Sequence, residues 1–213
     1  MPYRITERAE QHRQAMRQRL IQAARTLFVR QGYAATTMQQ IVQEAGTSIG
    51  NCYFYFSNKE ALLQAVVEDF AQQIGQAIDT AISGMPPGPE QLAMALAHGV
   101  KAALAQADLA RVLLGEVTVP RLRTLVLNYF AARLPYLLED GELQKDDTQM
   151  LMTTLAWQGA VFQILEATIR GSIEADATTV THFLIRWNLR AIGIAEEQIT
   201  EIINRLAKEN DNE

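Results

Sequence analysis

The sequence predicts an all-α fold, and three features carry that expectation. Apolar residues recur at helical spacing along most of the 213 residues, and the long C-terminal part shows no strand-like alternation. Glycine, proline and small polar residues punctuate the pattern where helices start and stop. Hydrophobic residues make up 48% of the chain, which is enough for a substantial core.

Taken in order, a first helix is expected over residues 6–31, with an apolar face of Leu20, Ala23, Ala24, Leu27 and Phe28, and Gly32 stopping it. Its early part is rich in Arg and Gln and lacks apolar periodicity. Met38, Ile41, Val42 and Ala45 then fall at i, i+3, i+4 and i+7 on one face of a second helix. Thr37 and Gln40 form a capping box at its start, each side chain satisfying an orphan amide of the other. Gly46 follows at the position where a left-handed residue ends a helix cheaply. Ser48 offers the N-cap of a third helix. On that helix Cys52 and Phe56 lie one turn apart and can both face inward. Ile49, Gly50, Asn51, Phe54 and Tyr55 are left to point elsewhere. Ser57 and Glu60 read as a further capping box opening a fourth helix to about residue 83, with a stripe of Leu63, Val67, Phe70, Ile74, Ile78 and Ile82. Gly84 and the run Pro86-Pro87-Gly88-Pro89 end it.

Beyond that break, helices are expected near residues 90–106, 108–114, 120–138, 146–171, 176–192 and 195–208, with a turn at Asp140-Gly141. The 146–171 segment is apolar on nearly every face, through Leu151, Met152, Leu155, Ala156, Trp157, Ala160, Val161, Phe162, Ile164 and Leu165. A helix apolar all round is buried all round, and in a small bundle that takes a partner chain. Gly159 and Ala160 are small enough for close helix approach. Phe183, Leu184, Trp187, Leu189 and Ile192 extend the apolar surface on the next helix. Gln158, Gln163, Glu166 and three threonines interrupt the 150–169 stretch, so it reads as a buried helix rather than a membrane span, and no membrane partner is expected.

Charge is unevenly distributed. Residues 1–60 hold eight Lys or Arg against four Asp or Glu, a balance of +4, and the remainder holds 11 against 20, a balance of −9, which together make the net −5. An acidic protein with a basic N-terminal quarter points to one nucleic-acid-facing end. The single cysteine excludes an intramolecular disulfide framework and suits a reducing cytoplasm, and no signal peptide is visible. Catalysis finds little support. His12, His98 and His182 are isolated, no metal-ligand spacing is present, and no glycine loop of the phosphate-cradling kind occurs, so no enzyme activity, metal or cofactor is expected.

A helix-turn-helix exists to place one exposed helix in a DNA major groove. The run Tyr53-Phe54-Tyr55-Phe56 spans every face of so short a helix, so part of it is exposed, and exposed aromatics beside a basic surface suit nucleic-acid contact. The stretch resembles the tetracycline-repressor (TetR) family of bacterial transcription regulators. The resemblance rests on Ala23-Ala24, Leu27-Phe28, Gly32-Tyr33, Thr36-Thr37-Met38, Ile41, Ala45-Gly46, Ser48-Ile49-Gly50, Tyr53, Phe56, Asn58-Lys59-Glu60 and Leu62. It covers about residues 14–70, with Cys52 and Asn51 departing from the usual pattern.

The resemblance implies an N-terminal three-helix helix-turn-helix domain over residues 1–56 and a C-terminal helical bundle for ligand binding and dimerisation over 57–213. It puts the recognition helix at residues 48–54. Ile49, Gly50, Asn51 and Phe54 are then the candidates for base edges. Thr37, Ser48, Tyr53, Tyr55 and Lys59 are candidates for phosphates, and Gln39 for either. It also implies a homodimer through the helices near 146–171 and 176–192, a double-stranded DNA operator and a small-molecule effector. His98, Glu116, Tyr129, Trp157, Gln158, Phe162 and Glu166 are the candidate pocket residues, being polar or aromatic in apolar surroundings. Glu166 also has an ordinary alternative, a pair with Arg170 one turn on. The rival to a ligand-responsive repressor is an all-helical ligand-binding or interaction protein without specific DNA binding. Thr37, Ser48, Tyr53 and Lys59 argue against it.

Overall fold

A computed structural model of the chain describes residues 7–114, 120–125, 128 and 147–210. Nine helices are bounded within them: α1 (Glu7–Ala35), α2 (Met38–Glu44), α3 (Ile49–Tyr55), α4 (Lys59–Ala81), α5 (Pro89–Leu104), α6 (Ala107–Leu113), α7 (Asp147–Ile169), α8 (Ala177–Ala191) and α9 (Glu196–Asn210). Residues 120–125 are also helical, and no strand occurs among the described residues. The turn expected at Asp140-Gly141 and most of the helix expected at 120–138 lie outside them. The chain divides into two compact units, Met1–Phe70 and Ala71–Glu213, with the division inside α4.

In the first unit, α1, α2, α3 and the start of α4 close around Leu20, Leu27, Phe28, Ile41, Cys52, Phe56, Leu62 and Val66, all buried. Gly32 interrupts α1 with φ 80°, where the chain turns before a last helical segment up to Ala35. Thr36, itself buried, donates its hydroxyl to the Gly32 carbonyl at 2.7 Å and fixes this corner. The first and fourth helices are tied by Asp69, which accepts from Arg25 Nη1 at 2.5 Å and from Gln18 Nε2 at 2.7 Å.

One expected cap is corrected. The amide of Ala61 donates to Asn58 Oδ1 at 2.7 Å, so Asn58 rather than Ser57 caps α4. The helix starts one position later than a Ser57 cap requires, and Asn caps as well as Ser.

In the second unit, α5, α7, α8 and α9 share a core of Leu92, Leu96, Val100, Trp157, Val161, Leu184, Ile185, Leu189, Ile199 and Ile202. Asn188 is fully buried within α8, where its Nδ2 donates to Leu184 O at 2.8 Å and its own carbonyl accepts from Trp157 Nε1 at 3.0 Å. α7 is not buried all round within one chain: Trp157, Val161 and Phe162 are buried, whereas Leu151, Met152 and Leu155 are exposed. On α8, Phe183 and Trp187, one turn apart, are exposed too, while Leu184 and Leu189 point into the core. No helix among the described residues is long and apolar enough to cross a membrane.

Candidate nucleic-acid interface

The geometry of the helix-turn-helix follows from its caps. Thr37 Oγ1 accepts from the Gln40 amide at 3.3 Å, and Gln40 Oε1 accepts from the Thr37 amide at 2.9 Å, completing the capping box. α2 ends at Ala45. Gly46 takes φ 61°, and the Thr47 amide reaches back to Val42 O at 2.9 Å, an arrangement that satisfies the last carbonyls. Arg19 Nη2 donates to Ala45 O at 2.6 Å, adding a cation at the end of the helix where the dipole is negative. At Gly46 the φ favours glycine, and a Cβ there would lie 3.2 Å from that same nitrogen, so the guanidinium would have to give by a few tenths of an ångström. Ser48 Oγ then accepts from the Asn51 amide at 3.2 Å and starts α3.

With both ends fixed, α3 presents two distinct faces. Cys52 and Phe56 are buried, and Arg17 lies over the Phe56 ring at 5.4 Å. Burial pushes the Cys52 thiol above its ordinary range, so it behaves as a small apolar core residue. The opposite face is Ile49, Tyr53 and Phe54, 37%, 51% and 70% exposed, with Gly50 exposed between them. Phe54 meets Tyr55 edge-on at 5.1 Å, and Tyr55 is half-buried. Thr37, Gln39 and Ser48 are exposed. The structure therefore brings Ile49, Gly50, Tyr53 and Phe54 together on one outward surface.

Two expected contacts have inward partners that the sequence did not reveal. Asn51 Nδ2 donates to Thr47 Oγ1 at 2.8 Å, which turns the half-buried amide toward the start of its own helix. Lys59 Nζ donates to Tyr33 O at 2.8 Å and to Thr36 O at 2.7 Å, with Ala34 O at 3.4 Å, and lies 4.3 Å from the centre of the Tyr33 ring. The ammonium thus clamps the corner between α1 and α2. Arg19 and Arg25 are likewise engaged inward, so the basic excess of this unit overstates the charge available to phosphates.

Among the described residues, the expected effector candidates do not all line one cleft. Glu116 and Tyr129 lie outside the described residues. Trp157 is a core side chain, 1% exposed, and Gln158 is buried. Phe162 is buried with Arg123 over its ring at 4.7 Å. Glu166 accepts from Arg170 Nε at 3.0 Å and lies 3.7 Å from Arg123 Nη2, so the ordinary one-turn pair is the one formed. Arg170 also donates to Leu114 O. His98 is half-buried on α5 and lines a cleft with residues of α8 and α9. Of the described effector candidates it alone does so.

A capped pair of short helices with an outward α3 defines a helix-turn-helix unit. Residues 20–66 match the family described as bacterial regulatory proteins, tetR family. YfiR, an uncharacterised helix-turn-helix regulator of Bacillus subtilis, is 37% identical over 68 residues, covering 32% of each chain. HbdR, a regulator from Aromatoleum sp. strain CIB, is 33% identical over 126 residues, covering 59% of this chain and 51% of HbdR. The chain thus spans about half, or less, of the length of these curated relatives. Among solved structures, RolR in complex with resorcinol aligns with TM-score 0.57 and 27% identity over 92% of this chain and 96% of its own. Residues 20–66 thus carry a DNA-binding domain of the tetR-family kind.

Proposed function

We propose that the protein is a ligand-responsive, DNA-binding transcriptional regulator whose dimer covers a near-palindromic operator and is released by a small-molecule effector. The observation that carries this reading is the α3 surface: Ile49, Tyr53 and Phe54 are large, apolar and exposed on a helix whose two ends are capped. Burying such a face in a groove removes apolar area from water and lets Ile49 and Phe54 touch thymine methyl groups. Gly50 lets the backbone come close. Thr37, Ser48, Tyr53 and Tyr55 serve phosphates, with Gln39 within the first turn of α2 serving a base or a phosphate. Lys59 and Asn51 reach DNA only by exchanging or sharing the inward bonds they hold.

The exposed apolar residues Leu151, Met152 and Leu155 of α7 and Phe183 and Trp187 of α8 support a homodimer. A two-fold dimer supplies two α3 helices to two half-sites about 34–36 Å apart or a multiple of that. A small change in their separation costs both half-sites together, which is the physical basis for release. The resorcinol complex of RolR supports the effector part of the reading. A regulator of this kind works in the cytoplasm and catalyses no reaction.

The test is fluorescence-anisotropy titration with the DNA upstream of the protein's own gene against a scrambled duplex at two salt concentrations. Preferential binding that survives the higher salt supports the reading. Equal, salt-fragile binding to both duplexes counts against an operator at that site.

A further inference from the structure

The stretch that forms the helix-turn-helix is almost uncharged. Between Arg30 and Lys59 the chain holds no Lys, Arg or His, and Glu44 is its one acidic residue. Glu44 ends α2 and lies 3.8 Å from Arg30 Nη2. α3 carries no charged side chain at all. The cations that α1 and α4 bring to the motif are turned to its backbone: Arg19 Nη2 donates to Ala45 O at 2.6 Å, and Lys59 Nζ to Thr36 O at 2.7 Å.

This composition decides which base edges the outward surface of α3 can match. Guanine offers two acceptors, O6 and N7, in the major groove, and its commonest partner is a bidentate Arg or Lys. Set against Ile49 and Phe54, those acceptors would be stripped of water and left unpaired, which is unfavourable. Cytosine offers an amino donor whose partner is a carboxylate, and α3 has none. Thymine offers its C5 methyl group, which an apolar side chain covers favourably. A Cβ at Gly50 would meet nothing within 4 Å, so the glycine serves no packing need and leaves room for close approach. The amides agree with this choice, because Asn and Gln pair with adenine N6 and N7. Asn51 is tied to Thr47, and Gln39 is exposed in the first turn of α2.

We propose that the half-site read by α3 is a core of A·T pairs recognised through thymine methyl groups, with Ile49 and Phe54 as the specificity-determining contacts. The inference rests on the reading of α3 as the DNA-facing helix and adds which bases that helix selects.

The test starts with selection of duplexes from a random library by the full chain. The selected duplex is then resynthesised with uracil in place of thymine, one half-site position at a time. Uracil lacks only the methyl group and keeps every hydrogen-bonding atom of the pair. The expected result is a half-site core of A·T pairs, with a loss of about fourfold in affinity at each contacted position, the worth of one buried methyl-sized group. Ile49→Ala and Phe54→Ala, both at exposed positions, are each expected to bind the thymine and uracil duplexes alike at the position they cover, with an unchanged melting temperature. Three results would overturn the proposal and leave DNA binding standing: G·C pairs in the half-site core, equal affinity of the wild type for thymine and uracil duplexes, or an unchanged thymine preference in both variants. Selection of no sequence by the wild type would overturn it together with the reading of α3 on which it rests.

Discussion

Lys59 shows how one residue's partners change what a motif means. The Asn58-Lys59-Glu60 signature suggests a cation beside DNA, yet the ammonium donates to the carbonyls of Tyr33 and Thr36 across the α1–α2 corner. Lys59→Met is expected to lower the stability of the N-terminal unit by about 2 kcal/mol, since hydrogen bonds to charged groups are the stronger kind. A urea midpoint equal to wild type would show that the clamp contributes nothing. Asp69 is the other residue with a clear cost. Its pair with Arg25 is mostly shielded from water, and Asp69→Ala leaves a cation without its carboxylate, for an expected loss of about 3 kcal/mol by the same denaturation. Neither partnership was legible in the sequence, because each joins residues more than 20 positions apart and no periodicity encodes such a contact. The inward face of α3 was legible, since Cys52 and Phe56 are one turn apart and hydrophobic on a helix too short to hide four aromatics.

At the level of elements, the caps were the readable part. Thr37, Gly46 and Ser48 act through neighbours within a few positions, so local chemistry alone sets them. Thr37→Ala is expected to cost about 1 kcal/mol, read as a lower melting temperature. The Ser57 cap expected for α4 was one residue early, because Asn58 caps equally well and only the register of the folded helix decides for it. At α8 the cap is ionisable. Asp176 is held below the usual carboxylate range, first by the backbone amide of Thr179, then by that residue's side chain and by the charge of His182. Because the folded value lies below the unfolded one, near 3.9, the cap's contribution is complete above the unfolded value. It is lost as pH falls through the lowered folded value. Exchange protection at the Thr179 amide is therefore expected to persist at pH 5 and to fall in the acid range below the ordinary carboxylate pKa, about 3.9. Protection already lost near pH 5 would contradict that assignment. The effector candidates are less legible than the caps. Polar or aromatic residues in apolar surroundings describe a buried Trp157 bonded to Asn188 as well as they describe a pocket wall.

For the whole molecule, the expectation that α7 is apolar on all sides and the finding that part of it is exposed in one chain lead to the same place. Leu151, Met152, Leu155, Phe183 and Trp187 form faces that a single chain leaves in water, and a second copy is the proposed cover. Trp187→Asp is expected to shift the protein to monomer in sedimentation velocity and to weaken operator binding by more than about tenfold, because two half-sites no longer act together. A variant that stays dimeric would place the interface elsewhere. The all-helical class was readable from spacing alone, and the apolar 146–171 segment already pointed to a partner chain, although an apolar face looks the same whether its partner is internal or a second copy. The most direct test of the central claim, that α3 reads DNA, is selection of duplexes from a random library by the wild type and by Phe54→Ala. The wild type is expected to select a near-palindromic consensus, with half-sites one helical turn or a multiple apart, and Phe54→Ala to lose or alter it. Enrichment of no sequence by the wild type, or of the same consensus at equal affinity by Phe54→Ala, would contradict that claim.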